Sequence, residues 1–268
     1  MSQREFPGPE DRVVVDVPGW RKIKPRIPDT PQRRQLERQR NVREVVFGAK
    51  DGILTTMGIV TGLGAASGRG VVIVSGLLAL LAGSLSMAVG EFQGAKSERD
   101  VVQASIDMER EEMAANPQDE FAEQVAYYKL KGFSADEAHM IVSRLAKNPE
   151  IYLYEMMRDE FGIDPRVAEA SSVLPAVFMG VSYAVGSLVP IVPYLLPFAM
   201  RSALIASFVF GLVGLFAIGY YAGTLGGRHP WRRGLEVALY GSVVFALTFL
   251  AGHFIPPLFH MNAITTGG

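Results

Sequence analysis

Residues 107–124, DMEREEMAANPQDEFAEQ, set seven acids against a single base, Arg110, in a chain that is otherwise largely apolar. Glu109 and Glu112 are three apart and share one face of a helix, and Glu120 and Glu123 repeat that spacing beyond Pro117. Folding back at Pro117 would bring four carboxylates together, a donor set that suits Mg, Ca or Mn. Further on, YEMMRDE places Met156, Met157 and Glu160 within one helical turn. Thioether sulfur mixed with carboxylate oxygen shifts the preference toward softer divalent ions such as Fe²⁺. The same pattern also fits a solvated acidic helix whose methionines face a core, and spacing alone leaves both readings open.

A second set of residues lies inside apolar runs. Asp51, in VFGAKDGILTTMGIVTG, is an acid within a stretch long enough to cross a bilayer. On insertion scales such a residue costs about 2.5–3.5 kcal/mol, which makes it a functional candidate by default. Lys50 is its neighbour in sequence, but adjacent helical residues diverge by about 100°, so the two need not face the same way. In SGLLALLAGSLSMAVGEFQG, Met87 and Glu91 are four apart, placing a thioether within the apolar run and a carboxylate at its edge. Met87 taken singly is as readily a packing residue. Gly48 with Gly52, Gly58 with Gly62, and the series Gly76, Gly83, Gly90 form small-residue seams suited to close helix packing.

Other chemistries are poorly supplied. With no cysteine, disulfides, thiolate metal sites and thiol catalysis are excluded. Asp136-x-x-His139 resembles half of a di-iron bundle motif, but that motif needs two Glu-x-x-His elements, and the other histidines stand at 229, 253 and 260. His139 is therefore read as a surface or packing residue, and His253 as interfacial. No phosphate-binding glycine loop occurs, which argues against ATP-driven pumping. No nucleic-acid partner is expected, and the protein is not read as an enzyme.

These residues must be positioned by helices. The chain has 268 residues, 49% of them hydrophobic and only 20% charged, an unusual balance for a soluble protein. Residues 91–170 carry nine bases against eighteen acids, whereas residues 1–44 carry eleven bases against seven. Crossing a bilayer core takes roughly 20 helical residues. Five runs qualify by eye, at about 45–66, 71–92, 171–192, 197–222 and 235–256. The expected fold is all-α and polytopic, with five transmembrane helices and a cytoplasmic, helical, metal-binding insert between the second and third. Its parts are a basic, Pro-containing arm 1–40 read as disordered, helices one and two in 41–92, the acidic insert 93–170, helices three to five in 171–256, and a tail 257–268. Arg33, Arg34, Arg38, Arg40 and Arg43 before the first span, with Arg228, Arg232 and Arg233 between the fourth and fifth, put the N-terminus and the insert on the cytoplasmic side. Within the insert the second span should run on to Asn116 and Pro117, a helix should start at the Ser134 cap with Glu137 in the capping-box position, and another should run from about Pro149 to Phe161.

FGAKDGILTTMGIVTGLGAA, GLLALLAGSLSMAVGEF, SERD and YEMMRDEFGI, in this order around an acidic helical insert, resemble the vacuolar iron transporter family over about residues 41–256. The resemblance implies a five-span homodimer that exports Fe²⁺ from the cytosol in exchange for protons, with Mn²⁺, Zn²⁺ and Co²⁺ as further candidate substrates and no permanently bound cofactor. It implies a transport path through Asp51, Met87 and Glu91, and a cytoplasmic metal face made of Glu109, Glu112, Glu120, Glu123, Met156, Met157 and Glu160. The implied location is the inner or plasma membrane of a prokaryote or a vacuole-type membrane of a eukaryote. Lys50 departs from the family pattern, in which a small or neutral polar residue precedes the aspartate. The alternative is a membrane-anchored iron-buffering or ferritin-like ferroxidase protein, for which Asp51 and Met87 would have no use.

Overall fold

The computed structural model describes residues 31–226 and 229–258, with side chains described from 42 to 255. Residues 1–30, Arg228 and the tail from 259, with His260, lie outside the described residues. Among the described residues the chain is helical throughout, with no strand. Its helices are α1 (Pro31–Ala66), α2 (Arg69–Ala115), α3 (Pro117–Leu130), α4 (Ala135–Leu145), α5 (Pro149–Glu160), α6 (Val173–Leu195), α7 (Met200–Leu225) and α8 (Pro230–Leu258), with a 3₁₀ turn at Pro165–Glu169. They divide into two compact units, one of residues 94–171 and one of residues 31–93 with 172–258.

Helix boundaries follow local chemistry. Prolines open α1, α3, α5 and α8, since the first turn of a helix needs no N–H partner and the fixed φ is already helical. α1 starts at Pro31, ten residues before the boundary at 41, because QRRQLERQR is a run of good helix formers. α2 runs without a break through 47 residues to Ala115. It stops where Asn116 and Pro117 stand, as expected from sequence. At the start of α4 the Ser134 hydroxyl accepts from the Glu137 N–H while the Glu137 carboxylate accepts from the Ser134 N–H, a complete capping box. Asn148 caps α5 through its side-chain oxygen.

In the 31–93 and 172–258 unit, α2, α6, α7 and α8 are each long and apolar enough to cross a membrane. α1 falls outside that group of four. It carries Arg43, Glu44, Lys50 and Asp51, and it is enclosed by other helices. Ile53, Met57 and Val60 are essentially inaccessible, packed with Val72 of α2, Ile191 and Tyr194 of α6, and Ala203 and Leu215 of α7. Small residues set the approach. A Cβ at Gly52 would meet the backbone of Tyr183, one at Gly186 the backbone of Ala49, and one at Gly252 the backbone of Gly62. Hydroxyls add interhelical bonds: Ser187 donates to the Gly52 carbonyl at 3.3 Å, Tyr194 to Val60 at 3.4 Å, and Ser207 to Pro190 at 2.7 Å. The glycines of α1 are thus spent inside the protomer. On α2, Gly76 packs against Ile191 and Val60 and Gly83 against Tyr183, while Gly90 meets nothing. Val74, Leu78, Leu81, Leu85 and Val89 form an exposed apolar ridge on α2.

The 94–171 unit has its own core. Val102, Ile106 and Met113 of α2, Phe121 of α3, Val142 and Ala146 of α4, and Tyr152, Leu153, Met156 and Met157 of α5 are buried together. His139 packs its ring edge-on against Phe121, with centroids 5.2 Å apart, one of the two roles, surface or packing, open to it from sequence.

Candidate functional site

The acidic stretch folds back at Pro117 into α2 and α3, and α5 closes on both through the shared core. Glu109 of α2 is completely buried, and neither of its carboxylate oxygens has a hydrogen-bond partner. Glu160 lies alongside it, without ordinary hydrogen-bond geometry at either Glu109 oxygen. Burial pushes the Glu109 carboxyl up to about 8, helped in order by the charges of Glu120, Glu160 and Glu112. Glu120, also buried, is pushed up to about 7 by burial first and then by Glu123, Glu112, Glu160 and Asp119. Desolvation and like-charge crowding each disfavour the ionised form. Glu109 and Glu120 both feel Glu112 and Glu160, so four carboxylates from three helices are brought together, and Glu123 joins them through Glu120.

The methionines behave differently. Met156 and Met157 are both wholly inaccessible and sit in the hydrophobic core with Tyr152 and Met113, where soft, flexible thioethers fill irregular space. Among the described residues no three His, Asp or Glu side chains stand in position to hold an ion as they are. When ionised these crowded carboxylates repel one another, and a divalent cation among them would relieve that repulsion.

Supporting groups that spacing did not single out surround the acids. Tyr152 is 2% exposed, and its phenol is driven up by burial and then by Glu120 and Glu109. Gln124, one turn beyond Glu120, donates to Asp159 at 2.8 Å, and Lys131 pairs with the same carboxylate at 2.6 Å while lying over the Tyr128 ring. Tyr127 donates to Glu123 at 3.3 Å. Asp159 thus ties α5 to Gln124 of α3 and to Lys131 just beyond it. No feature of the linear sequence singles out Asp159 for these contacts.

In the other unit, Asp51 is half-buried on α1, and Met87 and Glu91 are half-buried on α2. The Lys50 ammonium lies over the Phe47 ring, 5.3 Å from its centroid, so it is drawn back along α1 rather than held by Asp51 alone. Glu44 is 2% exposed and bonded to Arg43 at 2.9 Å. It stands seven residues before Asp51, two helical turns on the same face. That spacing was available in the sequence, where Glu44 reads only as part of the charged arm. Thr56 and Thr61 are buried on the same helix with unpartnered hydroxyls.

A family model described as the VIT family matches residues 42–253. "Vacuolar iron transporter 1" of Arabidopsis thaliana is 35% identical over 213 residues, covering 78% of this chain and 83% of its own length. "Vacuolar iron transporter 1" of Oryza sativa subsp. japonica is 33% identical over 212 residues, covering 78% and 82%. "Protein CCC1" of Saccharomyces cerevisiae is 29% identical over 183 residues, covering 68% of this chain and 56% of its own.

Proposed function

The chain belongs to the VIT family, and from that premise we propose that it is a membrane carrier that exports Fe²⁺ from the cytosol in exchange for protons, with Mn²⁺, Zn²⁺ and Co²⁺ as further substrates. Its Arabidopsis and rice relatives are named as vacuolar iron transporters, and it is not an enzyme. α1 makes a fifth crossing beside the four apolar helices, its polar half sheltered by α6, α7 and α8. The bases at Arg33, Arg34, Arg38, Arg40 and Arg43, and at Arg228, Arg232 and Arg233, set the N-terminus and the insert on the cytosolic side. The exposed ridge of α2 suits a two-fold interface with a second copy, since the glycines of α1 are already occupied.

One observation carries the reading: Glu109, buried with neither oxygen in ordinary hydrogen-bond geometry, in the field of three other glutamates, Glu120, Glu160 and Glu112. A buried carboxylate in that field is costly unless protonated or matched by a cation. The insert, through Glu109, Glu112, Glu120, Glu123 and Glu160 with sulfur from Met156 or Met157, collects the ion when its protons leave. Glu91, Met87 and Asp51 carry it through the membrane unit. Protonation of Asp51 competes with the ion and couples the two fluxes.

The test is uptake of Fe²⁺ into acidic-lumen proteoliposomes, run in parallel with Mn²⁺, Zn²⁺ and Co²⁺. Asp51→Ala is expected to abolish uptake with the oligomer unchanged by mass measurement in detergent. Glu112→Gln with Glu120→Gln should slow uptake at low metal and spare it at saturation. Unchanged uptake in Asp51→Ala would remove that residue from the mechanism, and a strictly monomeric active protein would remove the dimer.

A further inference from the structure

Tyr183 belongs to α6, yet its side chain fills the gap between α1 and α2. It is 2% exposed. A Cβ on Gly83 of α2 would overlap the Tyr183 hydroxyl and two of its ring carbons, so the phenol occupies the volume of the side chain that Gly83 lacks. Toward α1 the hydroxyl stands beside Thr55 and Ser187, within the field of Asp51. The Tyr183 backbone is wedged against Gly48 and Gly52. A ring held this way is fixed from three helices at once.

The register of those contacts is informative. Thr55 follows Asp51 by four residues and Gly83 precedes Met87 by four, so each neighbour of the phenol shares a face with one of the two path residues. α1 and α2 are joined by the short turn at 67–68, and along both helices the step from the path residue to the phenol runs toward that turn. The Tyr183 phenol therefore stands beside residues about 6 Å, four helical residues, beyond Asp51 and Met87 on the same side of both.

We infer that the Tyr183 phenol is the closed barrier of the path, sealing the passage between α1 and α2 one turn beyond Asp51 and Met87. This rests on the transport reading, in which those two residues line the route. A tyrosine serves such a role because its ring excludes water and ions while its hydroxyl keeps polar company with Thr55 and Ser187. Gly83 is the complementary half of the seal, since any side chain there would take the space of the phenol.

The chain has no cysteine, so one introduced thiol reports accessibility without background. Full-length Asp51→Cys is labelled with a membrane-impermeant cationic thiol reagent in right-side-out and inside-out vesicles. Labelling is expected from one face only. Adding Tyr183→Ala should speed labelling from the other face at least tenfold, and adding Gly83→Ala, which changes a single carbon, should do the same by pushing the phenol aside. Tyr183→Phe keeps the ring and should keep the labelling one-sided. Labelling of the single variant from both faces, or one-sided labelling that persists in the folded Tyr183→Ala or Gly83→Ala background, would overturn the barrier. Accessibility needs no metal, so the two ideas fail separately. If the wild type carries no Fe²⁺ while sidedness in the Asp51→Cys protein depends on Tyr183, the transport reading fails; if the wild type carries Fe²⁺ and that sidedness is indifferent to Tyr183, the barrier fails.

Discussion

Binding of a divalent ion to the acidic insert should release protons in an amount set by two residues. With the Glu109 carboxyl raised to about 8 and that of Glu120 to about 7, Glu109 is about nine-tenths protonated at pH 7 and Glu120 about half. A ligating carboxylate must be ionised, so loading one ion discharges about 1.4 protons at pH 7, about 0.6 at pH 8 and close to two at pH 6. The number released is also the slope of log affinity against pH. Apparent affinity should therefore fall about tenfold from pH 8 to 7 and roughly fiftyfold from 7 to 6. Calorimetry of the full-length protein with Co²⁺, in buffers of differing ionisation enthalpy, reads the protons directly. Glu109→Gln should cut the release at pH 7 to about half a proton, which isolates the share of Glu109. Release below about 0.3 protons per ion at pH 7 in the wild type, or an affinity flat between pH 6 and 8, would refute the reasoning that burial and crowding hold these protons.

Without metal, folding disfavours the ionised form of Glu109, whose carboxyl is raised from 4.5 to about 8, so its contribution is least harmful below pH 4.5 and becomes more destabilising as pH rises toward 8. Glu109→Gln should match the wild type at pH 5 in thermal melts and exceed it at pH 8 by about 2 kcal/mol, roughly half the full conversion of the shift once screening is allowed for. A variant less stable than wild type at pH 8 would contradict this. At the α1–α8 contact, where a Cβ on Gly252 would overlap the Gly62 backbone, Gly252→Ala should cost about 1–3 kcal/mol in detergent melts, whereas Gly90→Ala, with nothing near, should be neutral or slightly stabilising. Ser134→Ala removes the acceptor for the Glu137 N–H and should cost about 1 kcal/mol, measured as a fall in the melting temperature.

Much of this protein is local, and what is local was legible in its residues. The stop of α2 at Ala115, the fold-back at Pro117 and the box at Ser134 and Glu137 are decided by backbone donors, proline geometry and side chains within one turn. The (i, i+3) pairing of Glu109 with Glu112 and of Glu120 with Glu123 likewise needs only the helical period, and the acid content of the stretch already restricts its partners to cations or water. Composition could not decide the status of α1, whose charges keep it out of the group of apolar spans even though three other helices enclose it. Tertiary structure alone decided which glutamate is buried without a partner, because Glu109 and the exposed Glu111 differ only in the face they turn to a core assembled from four helices. It also decided that Met156 and Met157 are both core residues, that Asp159 takes the charge of Lys131, and that Tyr183 occupies the space left by Gly83 a hundred residues away. Those outcomes depend on distances between segments remote in sequence, and the helical period carries no information about which remote faces will meet.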